Sequence, residues 1–172
     1  MKKLKIGLLS YRSDPFSGGQ GIYVKNVSEA LLNRGHEVTI FSGKPLPVVD
    51  ERIKVVEIIT PGYFETFNSL ERFKIFQAQE KTRLNLWDFI ETFTGTFTEP
   101  IFFGDRLLQN KEFANSADSY DVFHDNQSIS AYPDSITKKL VTTLHHPIHL
   151  SLIHISEPTR QEAISYAVFC LK

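Results

Sequence analysis

Cysteine, methionine and tryptophan each occur once among 172 residues, and charge of either sign is not in excess: 19 Lys+Arg face 20 Asp+Glu, a net charge of -1. A single cysteine cannot close an internal disulfide, so nothing calls for an oxidising compartment. The missing positive excess argues against a nucleic-acid binder that works by neutralising phosphates. No apolar run approaches the about 18 residues that mark a membrane span. Residues 4–9 are mostly apolar behind a basic start, but Arg12, Ser13, Asp14 and Pro15 interrupt them too soon for a signal peptide. They read as a first buried strand, and the chain reads as cytoplasmic. Low-complexity segments and internal repeats are also missing, and the length suits one domain with a real core.

Three nucleotide or metal signatures are absent as well. The glycines at 18, 19 and 21 do not have the G-x-G-x-x-G spacing, and the second strand ends Phe41-Ser42-Gly43-Lys44 without an acidic ribose ligand. No G-x-x-x-x-G-K-[ST] occurs, and no D-x-D. A dinucleotide, ATP through a P-loop, and a carboxylate-held metal are therefore poor expectations, and no metal or cofactor is assigned.

What is present is a run of strand and helix signals in alternation. Residues 4–10 form a short apolar strand ending in a polar loop. Residues 22–34 carry Val24, Val27, Ala30 and Leu31 on one face of an amphipathic helix, which Gly35 can cap. Residues 37–42 form a second strand, so the first 42 residues make a βαβ unit with a right-handed crossover. Further strands are expected at 53–59, 120–124 and 140–144, with a short helix near 133–138. Between them, residues 63–113 hold ten of the 14 Phe residues and Trp87. Helices are expected there at 70–81, 84–93 and 99–115. Their aromatics either pack the helices onto the sheet or line a groove for a bulky acceptor, and peripheral membrane contact through this segment stays open. The fold class is α/β, a Rossmann-like parallel sheet flanked by helices.

In such sheets ligands bind at the C-terminal ends of the strands. Three polar loops fall there. Gly18, Gly19, Gln20 and Gly21 open the first helix; this is either a tight turn or an anion site, where backbone N–H groups and the helix dipole face a phosphate. His124, Asp125, Asn126 and Gln127 end the fourth strand. They could supply a base with its orienting partner, bond sugar hydroxyls, or cap a turn. His145 and His146 follow the fifth strand. Without accompanying cysteines or carboxylates they are a weak zinc signal, and a hydrogen bond to a phosphate or sugar oxygen suits them better.

From residue 150 the text changes character. Residues 150–160 and 164–172 resemble the two ends of a translated transposase-type sequencing adapter, with 161–163 in the place of its variable barcode. Residues 150–172 are therefore expected to be an artefactual tail, and 1–149 the domain proper. That division leaves the net charge unchanged and removes Cys170, the one cysteine.

The segments Lys5-Ile6-Gly7-Leu8-Leu9-Ser10, Gly18-Gly19-Gln20-Gly21-Ile22-Tyr23-Val24, the Arg34-Gly35-His36-Glu37-Val38 strand entry, Tyr120 through Gln127 and Thr143-Leu144-His145-His146-Pro147-Ile148 together resemble the N-terminal domain of a family 4 glycosyltransferase of GT-B fold. The resemblance spans residues 3–148. It implies two Rossmann-like domains with the reaction in the cleft between them. The expected activity is transfer of a sugar from a nucleotide-sugar donor to an acceptor, retaining and metal-independent, with no separate cofactor. Gly18, Gly19, Gln20 and Gly21 would approach the donor diphosphate. His145 would lie beside the transferred sugar, with His124 and Asp125 as further catalytic candidates. Tyr23, Asn126, Gln127 and His146 would line the acceptor pocket. The C-terminal, donor-binding domain of that family is not matched, so the chain is expected to be a fragment inactive alone. Two other readings remain: a stand-alone phosphate- or sugar-binding flavodoxin-like module, and a GT-B-type sugar-nucleotide epimerase.

Overall fold

The computed structural model describes residues 2–16, 19–66, 68–145 and 168–170. Gly18, His146 and most of the expected tail lie outside the described residues. The alternation read from the sequence folds as expected, into a parallel sheet with helices on both faces. Its elements are β1 (Lys5–Ser10), α1 (Gly19–Asn33), β2 (Glu37–Ser42), β3 (Lys54–Glu57), α2 (Ser69–Ala78), α3 (Arg83–Glu91), α4 (Glu99–Gln109), α5 (Lys111–Ser116), β4 (Val122–Asn126), α6 (Asp134–Thr137) and β5 (Leu140–Leu144). A three-residue β6 (Val168–Cys170) pairs antiparallel with β5. The sheet order is β3-β2-β1-β4-β5-β6, and the first five strands run parallel.

Strand alternation splits the apolar side chains between two layers. Ile6 and Leu8 of β1 join Val38, Ile40 and Val24 on the face covered by α1. Leu9 joins Phe41, Val56, Phe103, Leu107, Phe113 and Phe123 on the face covered by α4 and α5. Each such side chain, fully buried, contributes about 1.5–3 kcal/mol. Gly35, at φ 86, ends α1 in the left-handed conformation that glycine adopts without strain.

Two differences from the expected elements have local causes. The single helix expected over 99–115 is two. Asn110 takes an extended conformation (φ -71, ψ 119), and its side-chain oxygen accepts from Phe113 N, so one residue ends α4 and caps α5. The first helix starts at Gly19, earlier than the apolar pattern showed, which places Gly19, Gln20 and Gly21 in its first turn.

Part of the aromatic segment packs the helices, as in the first of its two expected roles. Phe103 and Phe113 are core. Phe76 stacks on Phe89 at 4.5 Å, holding α2 to α3. Phe73, Trp87, Phe93 and Phe97 stay largely exposed. Two arginines fasten these helices. Arg72 donates to the backbone oxygens of Tyr63, Thr66 and Thr92. Arg106 donates to Asp88 Oδ2 at 2.6 Å and Asn85 Oδ1 at 2.9 Å, while Thr98 donates to Asp88 Oδ1 at 2.5 Å. Among the described residues no helix is long and apolar enough to cross a membrane.

Candidate functional site

The strand order reverses direction between β1 and β4, because β2 and β3 extend from one side of β1 and β4 and β5 from the other. Loops leaving neighbouring strands there part to opposite faces and open a crevice. The loop from β1 to α1 and the ends of β4 and β5 meet at this point. The structure brings six of the expected site residues together: Gln20, Tyr23, His124, Asn126, Gln127 and His145.

His124 Nε2 lies 2.8 Å from Thr143 Oγ1, and the Tyr23 hydroxyl lies 3.0 Å from that same oxygen and 3.5 Å from His124 Nε2. The Tyr23 ring meets both histidines edge-on, at 5.9 Å for His124 and 4.7 Å for His145. His145 Nε2 donates to Asn126 Oδ1 at 2.5 Å, and Asn126 Nδ2 donates to Ser10 Oγ at 3.4 Å. Gln127 Oε1 accepts from Gln20 Nε2 and from His145 N, each at 3.3 Å, which ties the three polar loops to one another. Gln127 has φ 60, a left-handed conformation unusual outside glycine, at the point where β4 turns into this network. Burial, with the neighbouring His145, holds His124 below the usual histidine range, so its ring is neutral near pH 7. A neutral imidazole can accept a proton or hydrogen-bond a hydroxyl.

Gly19 and Gly21 of the first loop have different surroundings. A Cβ on Gly21 would stand 1.9 Å from Asp14 O, so the glycine there serves the close approach of helix and loop. A Cβ on Gly19 would meet nothing within 4 Å. With Gln20 it stands in the first turn of α1, where the N–H groups of a helix start and the positive end of the dipole favour an anion. Gly18 and His146 lie outside the described residues.

The structure does not bring His124 and Asp125 together as a base and its orienting partner. Successive strand residues point to opposite faces. Asp125 is 1 % exposed and accepts from the Tyr132 hydroxyl at 3.2 Å on the face away from His124, whose partners are Thr143 and Tyr23. Burial pushes the Asp125 carboxyl up to about 7, against the pull of hydrogen bonds from Ser128 and Tyr132. Asp125 thus fixes the end of β4 from beneath.

Sequence reasoning missed Thr143, Ser128, Tyr132 and the pair Arg12–Glu99. Thr142 and Thr143, two threonines within an otherwise apolar β5, were the one visible signal. Arg12 and Glu99 are far apart in the chain, and folding brings Arg12 Nη1 to 4.0 Å from Glu99 Oε2 where β1 gives way to its loop. Burial raises the Glu99 carboxyl to about 7 despite the nearby Arg12 guanidinium, and Asp88 adds to the rise. Among the described residues no three His, Cys, Asp or Glu side chains gather as a metal site would require.

The chain is similar to a mannosyltransferase. It is 36% identical over 150 residues to the MMP alpha-(1->4)-mannosyltransferase of Mycolicibacterium hassiacum, a match that covers 84% of this chain and 35% of that relative. The chain therefore spans about a third of the length of the relative it matches. No protein-family model matches it.

Proposed function

We propose that the chain is the acceptor-side Rossmann-like domain of a family 4, GT-B-fold glycosyltransferase, working in the cytoplasm on a nucleotide-sugar donor and a carbohydrate acceptor. The observation that carries this reading is the convergence of Gln20, Tyr23, His124, Asn126, Gln127 and His145 at the β1/β4 crevice, beside the N-terminus of α1. Similarity to a mannosyltransferase names the kind of reaction.

In this reading the first turn of α1, with Gly18, Gly19 and Gln20, receives the donor diphosphate through backbone N–H groups. His145, oriented by its Nε2–H bond to Asn126, accepts at Nδ1 a hydrogen bond from a hydroxyl of the sugar being transferred. His124 and Tyr23 hold the acceptor hydroxyl, which attacks the anomeric carbon from the face the diphosphate leaves and passes its proton to the departing phosphate oxygen. The diphosphate leaves with the electron pair of the broken glycosidic bond. Asp125 acts through β4 as a positioning residue. Transfer is retaining and needs no metal. Contacts to the donor's base and ribose belong to a second domain, for which the relative's greater length leaves room, so residues 1–149 alone bind without turning over.

Inorganic pyrophosphate titrated into 15N-labelled chain tests the binding half. Shifts confined to the amides of residues 19–23 and to His145 are expected. Unmoved amides at 19–23 with pyrophosphate in millimolar excess would contradict it.

A further inference from the structure

The two histidines of the crevice share one aromatic neighbour: the Tyr23 ring meets His145 at 4.7 Å and His124 at 5.9 Å. A neutral imidazole carries its proton on one nitrogen only, so what each ring offers a ligand depends on which nitrogen its protein partner uses. For His145 the partner decides. Ser10 Oγ donates to Arg12 O at 2.7 Å, so towards Asn126 it can only accept, and the Asn126 atom beside it is Nδ2. Asn126 Oδ1 then faces His145 Nε2, and an amide oxygen only accepts. His145 therefore carries its proton on Nε2.

For His124 the partner is a hydroxyl, which can donate or accept. Among the described residues the hydrogen bonds of His124 are made at Nε2, to Thr143 Oγ1 at 2.8 Å and, longer, to the Tyr23 hydroxyl at 3.5 Å. The Tyr23 hydroxyl is also 3.0 Å from Thr143 Oγ1. Thr143 is buried and has one proton to share between these two neighbours. Of the two hydroxyls the phenol is the better donor, a bare imidazole nitrogen is a good acceptor, and hydrogen bonds running in one direction strengthen one another. The chain of bonds therefore runs from Tyr23 O–H to Thr143 Oγ1, and from Thr143 O–H to His124 Nε2.

We propose that the crevice holds its two histidines in opposite tautomers, His145 with its proton on Nε2 and His124 with its proton on Nδ1, and that Thr143 is the positioning residue that fixes the second. With its proton turned to Thr143, the Tyr23 oxygen offers only lone pairs, as does His145 Nδ1. The Tyr23–His145 side of the crevice thus recognises groups that donate, hydroxyls above all, while the first turn of α1 suits groups that accept. That these hydroxyls are those of sugars rests on the transferase reading above; the tautomers do not.

The test is a long-range 1H–15N correlation spectrum of the 15N-labelled full chain at pH 8, above the ordinary histidine range, which tells a protonated ring nitrogen from a bare one. Loss of signals in His124→Gln and in His145→Gln assigns them. The expected spectrum has Nδ1–H at His124 and Nε2–H at His145. Thr143→Val keeps the branched shape and removes the hydroxyl; it should turn His124 into a mixture of tautomers and leave His145 unchanged. Thr143→Ser should restore Nδ1–H at His124. Either ring in the other tautomer in the unaltered chain would overturn the proposal. So would a His124 tautomer that Thr143→Val leaves unchanged or that Thr143→Ser fails to restore. All of this is read without ligand, so it stands apart from the pyrophosphate response of residues 19–23 that tests the transferase reading.

Discussion

Replacing Asp125 by Asn should change how stability depends on pH. Asp125 is buried, and its carboxyl is pushed up to about 7 from an ordinary value of 3.8. Between these values the folded chain holds a proton that the unfolded chain has lost, so the stabilisation is complete below the ordinary value and falls as pH rises to about 7. At about 1.36 kcal/mol per pH unit, the two units from pH 5 to 7 amount to roughly 3 kcal/mol, and no more is lost above that. Glu99, raised to about 7 for the same reason, acts in the same direction. His124, held low, acts in the opposite one: its contribution is lost as pH falls below the usual histidine range. Comparison with the variant separates Asp125 from both. Asn keeps the shape and still accepts from the Tyr132 hydroxyl, but has no proton to lose. Urea unfolding at pH 5 and pH 8 is the assay. The wild-type chain should lose roughly 3 kcal/mol more than Asp125→Asn over that interval. Equal losses in the two proteins would refute the claim that burial sets this carboxyl.

Gly21→Ala forces a methyl group against Asp14 O and should cost about 1–3 kcal/mol or more, read as a drop in Tm, whereas Gly19→Ala should leave Tm nearly unchanged and weaken pyrophosphate binding. Asp88→Ala leaves Arg106 and Thr98 without their carboxylate and should cost about 3–5 kcal/mol in urea unfolding, while Asp88→Leu combined with Arg106→Met should recover most of the loss. Asn110→Ala removes the α5 cap and should cost about 1 kcal/mol by the same assay.

The sheet was legible because its strands are short apolar runs bounded by Gly, Pro or polar loops, and each of the five expected strands is present with ends shifted by at most two residues. The break between α4 and α5 was not, because Asn110 fits a helical pattern and its side chain caps α5 only once its backbone is extended. Of the site, the loops were legible and the pairings were not. His124 and Asp125 are adjacent in the chain, which suggested a pair, but the pleat sends them to opposite faces. Thr143, Tyr132 and Glu99 reach the site region through long-range folding, so nothing in their sequence neighbourhoods marks them. Gly21 is required by backbone contact, a role that a glycine-rich loop shares with a phosphate site and that the sequence cannot distinguish.

Sugar transfer tests the central claim most directly. Residues 1–149, joined to the part of the Mycolicibacterium hassiacum mannosyltransferase that follows the matched region, would be incubated with radiolabelled nucleotide-sugars and an α-1,4-linked mannoside. The predicted result is labelled, elongated acceptor, lost on His145→Ala in a chimera that still folds. A folded chimera that transfers no sugar, or one whose transfer survives His145→Ala undiminished, would contradict the account.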